Sequence, residues 1–251
     1  MQNETSQFLS QMHAEEERWT SAHDYLAFHA RRFRDTLNLC ALLKPDPATR
    51  VLDIGRSYLS YLLAGRYESV TTLGLPLDSP SGAHGSTPPR SEGREPAAHI
   101  VYDLNDSGRK PIPTTEHFGM IVFAETIEHL VTPPELVLHA LSGLLAADGF
   151  VIVETPNAVS GPNRIRMLLG QNPFERLRCI SLNPGHIREY TRLELIEMGR
   201  TAGLQAVRHE YVHYSPLPRR PGIGTVAAAA RLLVPSLRGG QTIVYRSARN
   251  A

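Results

Sequence analysis

Two carboxylates and an imidazole stand close together in Glu125-Thr126-Ile127-Glu128-His129. If a helical turn begins there, Glu125, Glu128 and His129 take positions i, i+3 and i+4, which share one face. Carboxylate oxygens and an imidazole nitrogen on one face suit a divalent cation such as Mg²⁺. A second histidine, His186, opens the segment His186-Ile187-Arg188-Glu189-Tyr190-Thr191. Because imidazole titrates near working pH, His129 or His186 can also act as a general base without any metal. A purely structural part fits the same residues: Glu125 and Glu128 complement a helix N-terminus, and His129 packs beneath a sheet. Two further segments carry chemistry of another kind. In Asp53-Ile54-Gly55-Arg56-Ser57 a glycine lets the backbone approach a ligand and leaves N–H groups pointing at it. In Tyr102-Asp103-Leu104-Asn105 the carboxylate can accept a hydrogen bond from an exocyclic amine; an Asp there equally suits a turn or a helix cap.

The elements that must position these residues follow from the hydrophobic pattern. A helix is predicted over 15–43, where Tyr25, Phe28, Leu37, Leu39 and Leu42 recur among charges, and Lys44-Pro45-Asp46-Pro47 ends it. Short apolar runs predict strands over 50–55, 69–75, 99–104, 118–124 and 150–154, with later strands over 205–214 and 241–246. Helical period falls over 58–64, 134–145 and 193–202, and Ala147-Asp148-Gly149 reads as a stop signal. Residues 76–96, rich in Pro, Gly and Ser, read as a surface loop. Strands alternating with helices imply a doubly wound α/β fold, a mostly parallel sheet covered on both faces. Such sheets bind ligands beyond the carboxyl ends of their strands, where Gly55, Asp103 and Glu125 all fall.

Composition narrows the function. Lys plus Arg total 26 against 25 for Asp plus Glu, a net charge of +1, so binding nucleic acid through bulk charge is disfavoured. The two cysteines, Cys40 and Cys179, are far apart, which excludes a disulfide scaffold and a cysteine zinc site and fits a reducing, cytoplasmic compartment. Residues 1–17 are polar and acidic, unlike a signal peptide, and no apolar run reaches the roughly 18 residues of a membrane span. The Gly-x-Gly-x-x-Gly pattern of dinucleotide enzymes is absent, which weighs against a nicotinamide oxidoreductase.

Taken together, the chain resembles a class I S-adenosylmethionine-dependent methyltransferase. The resemblance rests on residues 51–55, on Asp103-Leu104-Asn105, on residues 118–130, on residues 144–157 and on His186-Ile187-Arg188-Glu189-Tyr190-Thr191, in order and in register over about residues 48–247. It implies a Rossmann-like sheet of seven strands, the last antiparallel. The cofactor would lie along Asp53, Gly55, Ser57, Asp103, Leu104 and Glu125. The Glu-x-x-Glu-His pattern resembles two metal-dependent O-methyltransferase groups, acting on small-RNA ends and on ubiquinone precursors. That resemblance implies a cation on Glu125, Glu128, His129 and His186, with His129, His186 and Glu125 as catalytic residues. Two departures stand out: Gly55 is followed by Arg56, Ser57 and Tyr58 rather than further glycines, and Gly74 occupies the place of the acid that grips the ribose. They leave open an inactive relative serving as a binding or regulatory subunit.

One domain is expected over 1–251: a helical cap over 1–47, a core over 48–157 and 188–251, and an inserted lid over 158–187. In the lid Arg164, Arg166, Arg176 and Arg178 can meet an acidic or phosphorylated substrate, or form a solvated helix face. His209, His213 and Tyr214 read as strand and loop positions, and 227–233 as a surface helix. The expected acceptor is a small molecule or glycan rather than nucleic acid, methylated at oxygen in preference to nitrogen.

Overall fold

Proline ends the first helix, and capping hydroxyls at Ser57 and Thr191 begin two of the later ones, so these helices are delimited locally before they pack. A computed structural model describes residues 22–77, 94–177, 185–213 and 233–248, with side chains from residue 29. Helix α1 (Ala22–Leu43) stops where Pro45 follows Lys44, whose N–H still reaches the Cys40 carbonyl at 2.9 Å. After β1 (Arg50–Ile54), Ser57 caps α2 (Tyr58–Arg66) through a capping box with Ser60. Then come β2 (Ser69–Gly74), β3 (Ala98–Val101) and β4 (Phe118–Ala124). Pro134 opens α3 (Pro134–Ser142), since its missing N–H is not needed at the first helical position. β5 (Leu145–Pro156), α4 (Gly161–Leu168), α5 (Arg192–Thr201), β6 (Leu204–Val212) and β7 (Gly240–Ser247) complete the order.

All seven strands form one sheet in the order β3-β2-β1-β4-β5-β7-β6. Neighbours run parallel up to β5, and β7 lies antiparallel to both β5 and β6. The seven-stranded, mostly parallel α/β sheet matches the sequence expectation. β4 shows why its apolar run is continuous: Ile121 and Phe123 pack on the face covered by α3 and α5, whereas Met120 and Val122 pack on the face covered by α1 and α2. The chain leaves β1 towards β2 on one side and returns to β4 on the other. The carboxyl ends of β1 and β4 therefore flank the switch point, where ligand crevices form.

Several boundaries differ from those read in the sequence. The helix expected to 145 ends at Ser142, and Ala147-Asp148-Gly149 lies inside β5 instead of stopping a helix. The β4–β5 register shifts between Phe118 and Met120, so the turn-like triplet forms a bulge. Gly149 is needed there, because a Cβ would stand 2.9 Å from the Phe118 carbonyl oxygen. β3 stops at Val101, and Asp103 begins a one-turn 3₁₀ helix at Leu104–Asp106. Arg178, Cys179, Tyr214 and residues 227–232 lie outside the described residues. Among the described residues, no helix is long and apolar enough to cross a membrane.

Candidate active site

The carboxyl edge of the sheet gathers two sets of side chains. At the end of β1, Asp53 is buried and receives the Ser60 hydroxyl at 2.6 Å; burial pushes its carboxyl up to about 8. Gly55 follows with φ +81°, a conformation open to glycine at little cost, and its N–H donates to the Leu73 carbonyl at 2.7 Å. Gly74 runs alongside: a Cβ there would stand 3.7 Å from the Gly55 Cα, so the two turns lie close and without side chains between them. Asp103 is exposed at the same edge, its Oδ1 accepting from the Asn105 N–H at 2.9 Å and from Asn105 Nδ2 at 3.1 Å.

The other expected cofactor residues turn elsewhere. Ser57 Oγ accepts from the Leu59 N–H at 3.2 Å, and the Ser57 N–H donates to Ser60 Oγ at 2.9 Å, so both groups serve the helix cap. Leu104 is buried in the core beneath α3. Glu125 has φ +50°, the one non-glycine residue with positive φ among those described. That left-handed turn, of a kind concentrated at functional sites, carries Glu125 Oε1 to 4.0 Å from Arg32 Nη1 on α1.

The second set grows from a 3₁₀ turn, Ile127–His129, rather than an α-helical one. Glu128 is fully buried; Thr155 Oγ1 donates to its Oε2 at 3.0 Å, and its Oε1 has no hydrogen-bond partner. Burial, then the negative Glu125, raise the Glu128 carboxyl well above the usual range. His129 Nδ1 lies 2.9 Å from the Gly185 carbonyl, which can only accept, so the proton sits on Nδ1 and the lone pair on Nε2. Nε2 is 4.0 Å from Glu128 Oε1. His186 is arranged alike, its Nδ1 donating to Glu189 Oε1 at 3.1 Å. Burial alone would lower the His186 pKa, but the Glu189 hydrogen bond and charge, with Glu175 and Glu125, leave it raised. The Glu128 carbonyl accepts from the Ile187 and Arg188 N–H groups at 2.8 and 3.2 Å, which stitches the 185–188 segment onto the turn. The two imidazoles meet edge to face, centroids 5.0 Å apart. One ligand atom each from Glu128, His129 and His186 lies within 4.8 Å of the others.

Of the four residues expected to ligate a cation, three therefore converge, and Glu125 is not among them. The expectation assumed α-helical phase from position 125; the left-handed residue followed by a 3₁₀ turn breaks that phase. Sequence reasoning also missed Arg32, Thr155 and Glu189. Arg32 lies buried on α1, beside Glu125, and its charge favours ionised Asp53 and Glu154. Its signal was present but weak: Arg32, Thr36 and Cys40 repeat every four residues, so they share a face, and all are buried.

A parallel sheet of this order, closed by an antiparallel β7 and carrying a bare glycine turn after β1, defines the class I S-adenosylmethionine-dependent methyltransferase fold. The chain belongs to the methyltransferase domain family, whose profile matches residues 25–209. It is similar to the ubiquinone biosynthesis O-methyltransferase of Aeromonas salmonicida, 27% identical over 177 residues, or 70% of this chain and 71% of that protein. Among solved structures it resembles the N-methyltransferase NodS of Bradyrhizobium japonicum bound to S-adenosylhomocysteine, with TM-score 0.53, 13% identity, and 88% and 87% of the two chains covered. It also resembles the magnesium protoporphyrin IX methyltransferase of Synechocystis with bound S-adenosylhomocysteine, with TM-score 0.54, 12% identity, and 88% and 84% covered. At such identities these structures speak for the fold alone.

Proposed function

We propose that this methyltransferase acts on a hydroxyl oxygen of a small-molecule or glycan acceptor, assisted by a divalent cation on Glu128, His129 and His186. The observation that carries the reading is the buried Glu128 Oε1, without a partner, beside two imidazoles whose Nδ1 protons are already engaged. A buried carboxylate oxygen left so is costly unless something else meets it. Imidazoles held through Nδ1 by a carbonyl and a carboxylate are oriented as metal-ligating histidines are. The Aeromonas relative, named an O-methyltransferase, supports oxygen as the acceptor atom.

S-adenosylmethionine, when bound, supplies a methyl on a sulfonium whose carbon–sulfur bond breaks as the acceptor oxygen attacks in line, leaving S-adenosylhomocysteine. A divalent cation, when bound, supplies a Lewis acid that lowers the pKa of the attacking hydroxyl. The chain's own residues do the rest. Gly55 and Gly74 offer a surface without side chains, against which a nucleoside can lie. Asp103 presents a carboxylate for its amine. With a cation held at Nε2 of both histidines the hydroxyl proton leaves to solvent; without one, His129 or His186 can accept it at Nε2.

Calorimetric titration with S-adenosylhomocysteine, with and without Mg²⁺ or Mn²⁺, tests both halves. Binding is expected, and Asp103→Ala should weaken it about tenfold, the loss of one charge-assisted hydrogen bond. Turnover on a panel of phenols and sugars should stop with chelator and return with the metal. No heat with millimolar S-adenosylhomocysteine would defeat the cofactor reading; turnover indifferent to chelator would defeat the metal.

A further inference from the structure

Among the described residues, α4 is the one α-helix that buries none of its side chains. Its composition makes this unusual, because Ile165, Leu168 and the following Leu169 are 59%, 86% and 69% exposed. At about 100° per residue these three share an arc of roughly 100°. Arg164 borders that arc on one side and Arg166 on the other. No acid stands on the helix. One guanidinium nitrogen of each arginine holds a backbone carbonyl, Val159 for Arg164 at 2.7 Å and Pro173 for Arg166 at 3.3 Å, and both side chains are otherwise exposed. An aliphatic stripe flanked by arginines is the pattern of a helix that lies in a bilayer interface.

We propose that α4 docks on an anionic lipid surface, with Ile165, Leu168 and Leu169 entering the acyl boundary and Arg164 and Arg166 meeting lipid phosphates. The helix adjoins the candidate site. Asn163 Nδ2 reaches Glu189 Oε2 at 3.4 Å, and the other oxygen of Glu189 holds His186. Docking would therefore bring the mouth of the site to the membrane, within reach of an acceptor dissolved there. This inference stands apart from the reading of the cation and the acceptor atom.

Co-sedimentation of the full chain with vesicles of phosphatidylcholine alone, and of phosphatidylcholine mixed with phosphatidylglycerol, tests it. Partitioning should be at least about tenfold stronger on the mixed vesicles and should weaken with salt. The pair Arg164→Gln and Arg166→Gln should cost about tenfold or more, and the pair Leu168→Glu and Leu169→Glu should abolish binding. Helicity and S-adenosylhomocysteine affinity should stay unchanged in both, because α4 buries no side chain; measuring them separates failure here from failure of the methyltransferase reading. Equal binding to both vesicle types, no binding at all, or binding indifferent to either pair would overturn the proposal. So would a dimer in solution that the Leu168→Glu and Leu169→Glu pair splits, since the stripe would then belong to a second copy.

Discussion

Two groups of buried carboxyls lie at the carboxyl edge of this sheet, and they are finished differently. Around Arg32, Asp53 takes the Ser60 hydroxyl, and Glu154 has Thr36 Oγ1 at 2.8 and 2.9 Å from its two oxygens. Thr36 also lies 2.8 Å from the Arg32 carbonyl. One hydroxyl proton cannot serve three acceptors, so a proton on Glu154 completes the set, in line with a carboxyl pushed up to about 7 by burial. Around Glu128 the accounting stays open: one oxygen is met by Thr155, the other by nothing, and two imidazoles turn Nε2 away from their own hydrogen bonds. Burial is equal in the two places. What separates Glu154 from Glu128 is whether the chain meets both oxygens of the carboxyl.

The largest effect should come from breaking the open group. Glu128→Gln, His129→Ala and His186→Ala should each lower turnover by about 10² to 10⁴, the range for losing a positioned acid–base group. S-adenosylhomocysteine affinity should change little, because these side chains engage Thr155, Gly185 and Glu189 rather than Gly55 or Asp103. Steady-state kinetics beside calorimetry reads both quantities. A variant that loses rate only in proportion to folded protein would place that residue with the framework.

The closed group should answer in stability instead. Glu154→Ala strips Thr36 and Arg32 of a buried partner and should cost about 3 kcal/mol or more. At 2–4 °C per kcal/mol for a chain of this size, the melting temperature falls by roughly 6–12 °C. Its pH dependence has a definite sign. Unfolded Asp and Glu release their protons near pH 4, while Asp53 and Glu154 hold theirs to about 8 and about 7. The stabilising contribution is complete below about pH 4 and is lost as pH rises through 7 and 8, because the unfolded chain ionises first. Thermal melts between pH 5 and 8 should slope downward, and Glu154→Gln should flatten them. A flat profile for the unmodified chain would show that the two carboxyls do not hold their protons.

The same contrast explains what the sequence made legible. Strand positions and the residues at their carboxyl ends could be read, since a buried parallel strand is a continuous apolar run and ligand chemistry follows it. Gly55 and Asp103 were singled out in that way, and Glu128, His129 and His186 by the types and spacing of their side chains. Glu125 was misplaced, because no local rule announces that a glutamate will take φ +50°. Arg32 and Glu189 act across tertiary contacts, and in an arginine-rich chain nothing sets Arg32 apart until α1 is laid on the sheet. The triplet at 147–149 shows the converse: turn composition inside a strand marks a bulge only once β4 pairs with it.

A smaller effect is expected at Glu189, which touches His186 and Asn163 rather than substrate. As a positioning residue it should cost about tenfold to a hundredfold in turnover when changed to Ala, the range for partners of ligating histidines. Glu189→Gln keeps an acceptor for the His186 Nδ1 proton and should recover much of that loss. Equal damage from both variants would mean that Glu189 contributes charge, not orientation.

The smallest effect belongs to Ser57, whose place beside Gly55 suggested a cofactor contact. Its hydroxyl accepts from the Leu59 N–H, and its N–H is held by Ser60, so it completes the start of α2 as Thr36 completes Glu154. Ser57→Ala should therefore cost about 1 kcal/mol of stability, the usual value of a helix N-cap, and leave S-adenosylhomocysteine affinity where it was. Ser57→Asp, which can cap as well, should restore the stability. If Ser57→Ala instead weakened the ligand tenfold at unchanged stability, the hydroxyl would have to leave its cap on binding. The first turn of α2 would then belong with the open group rather than the closed one.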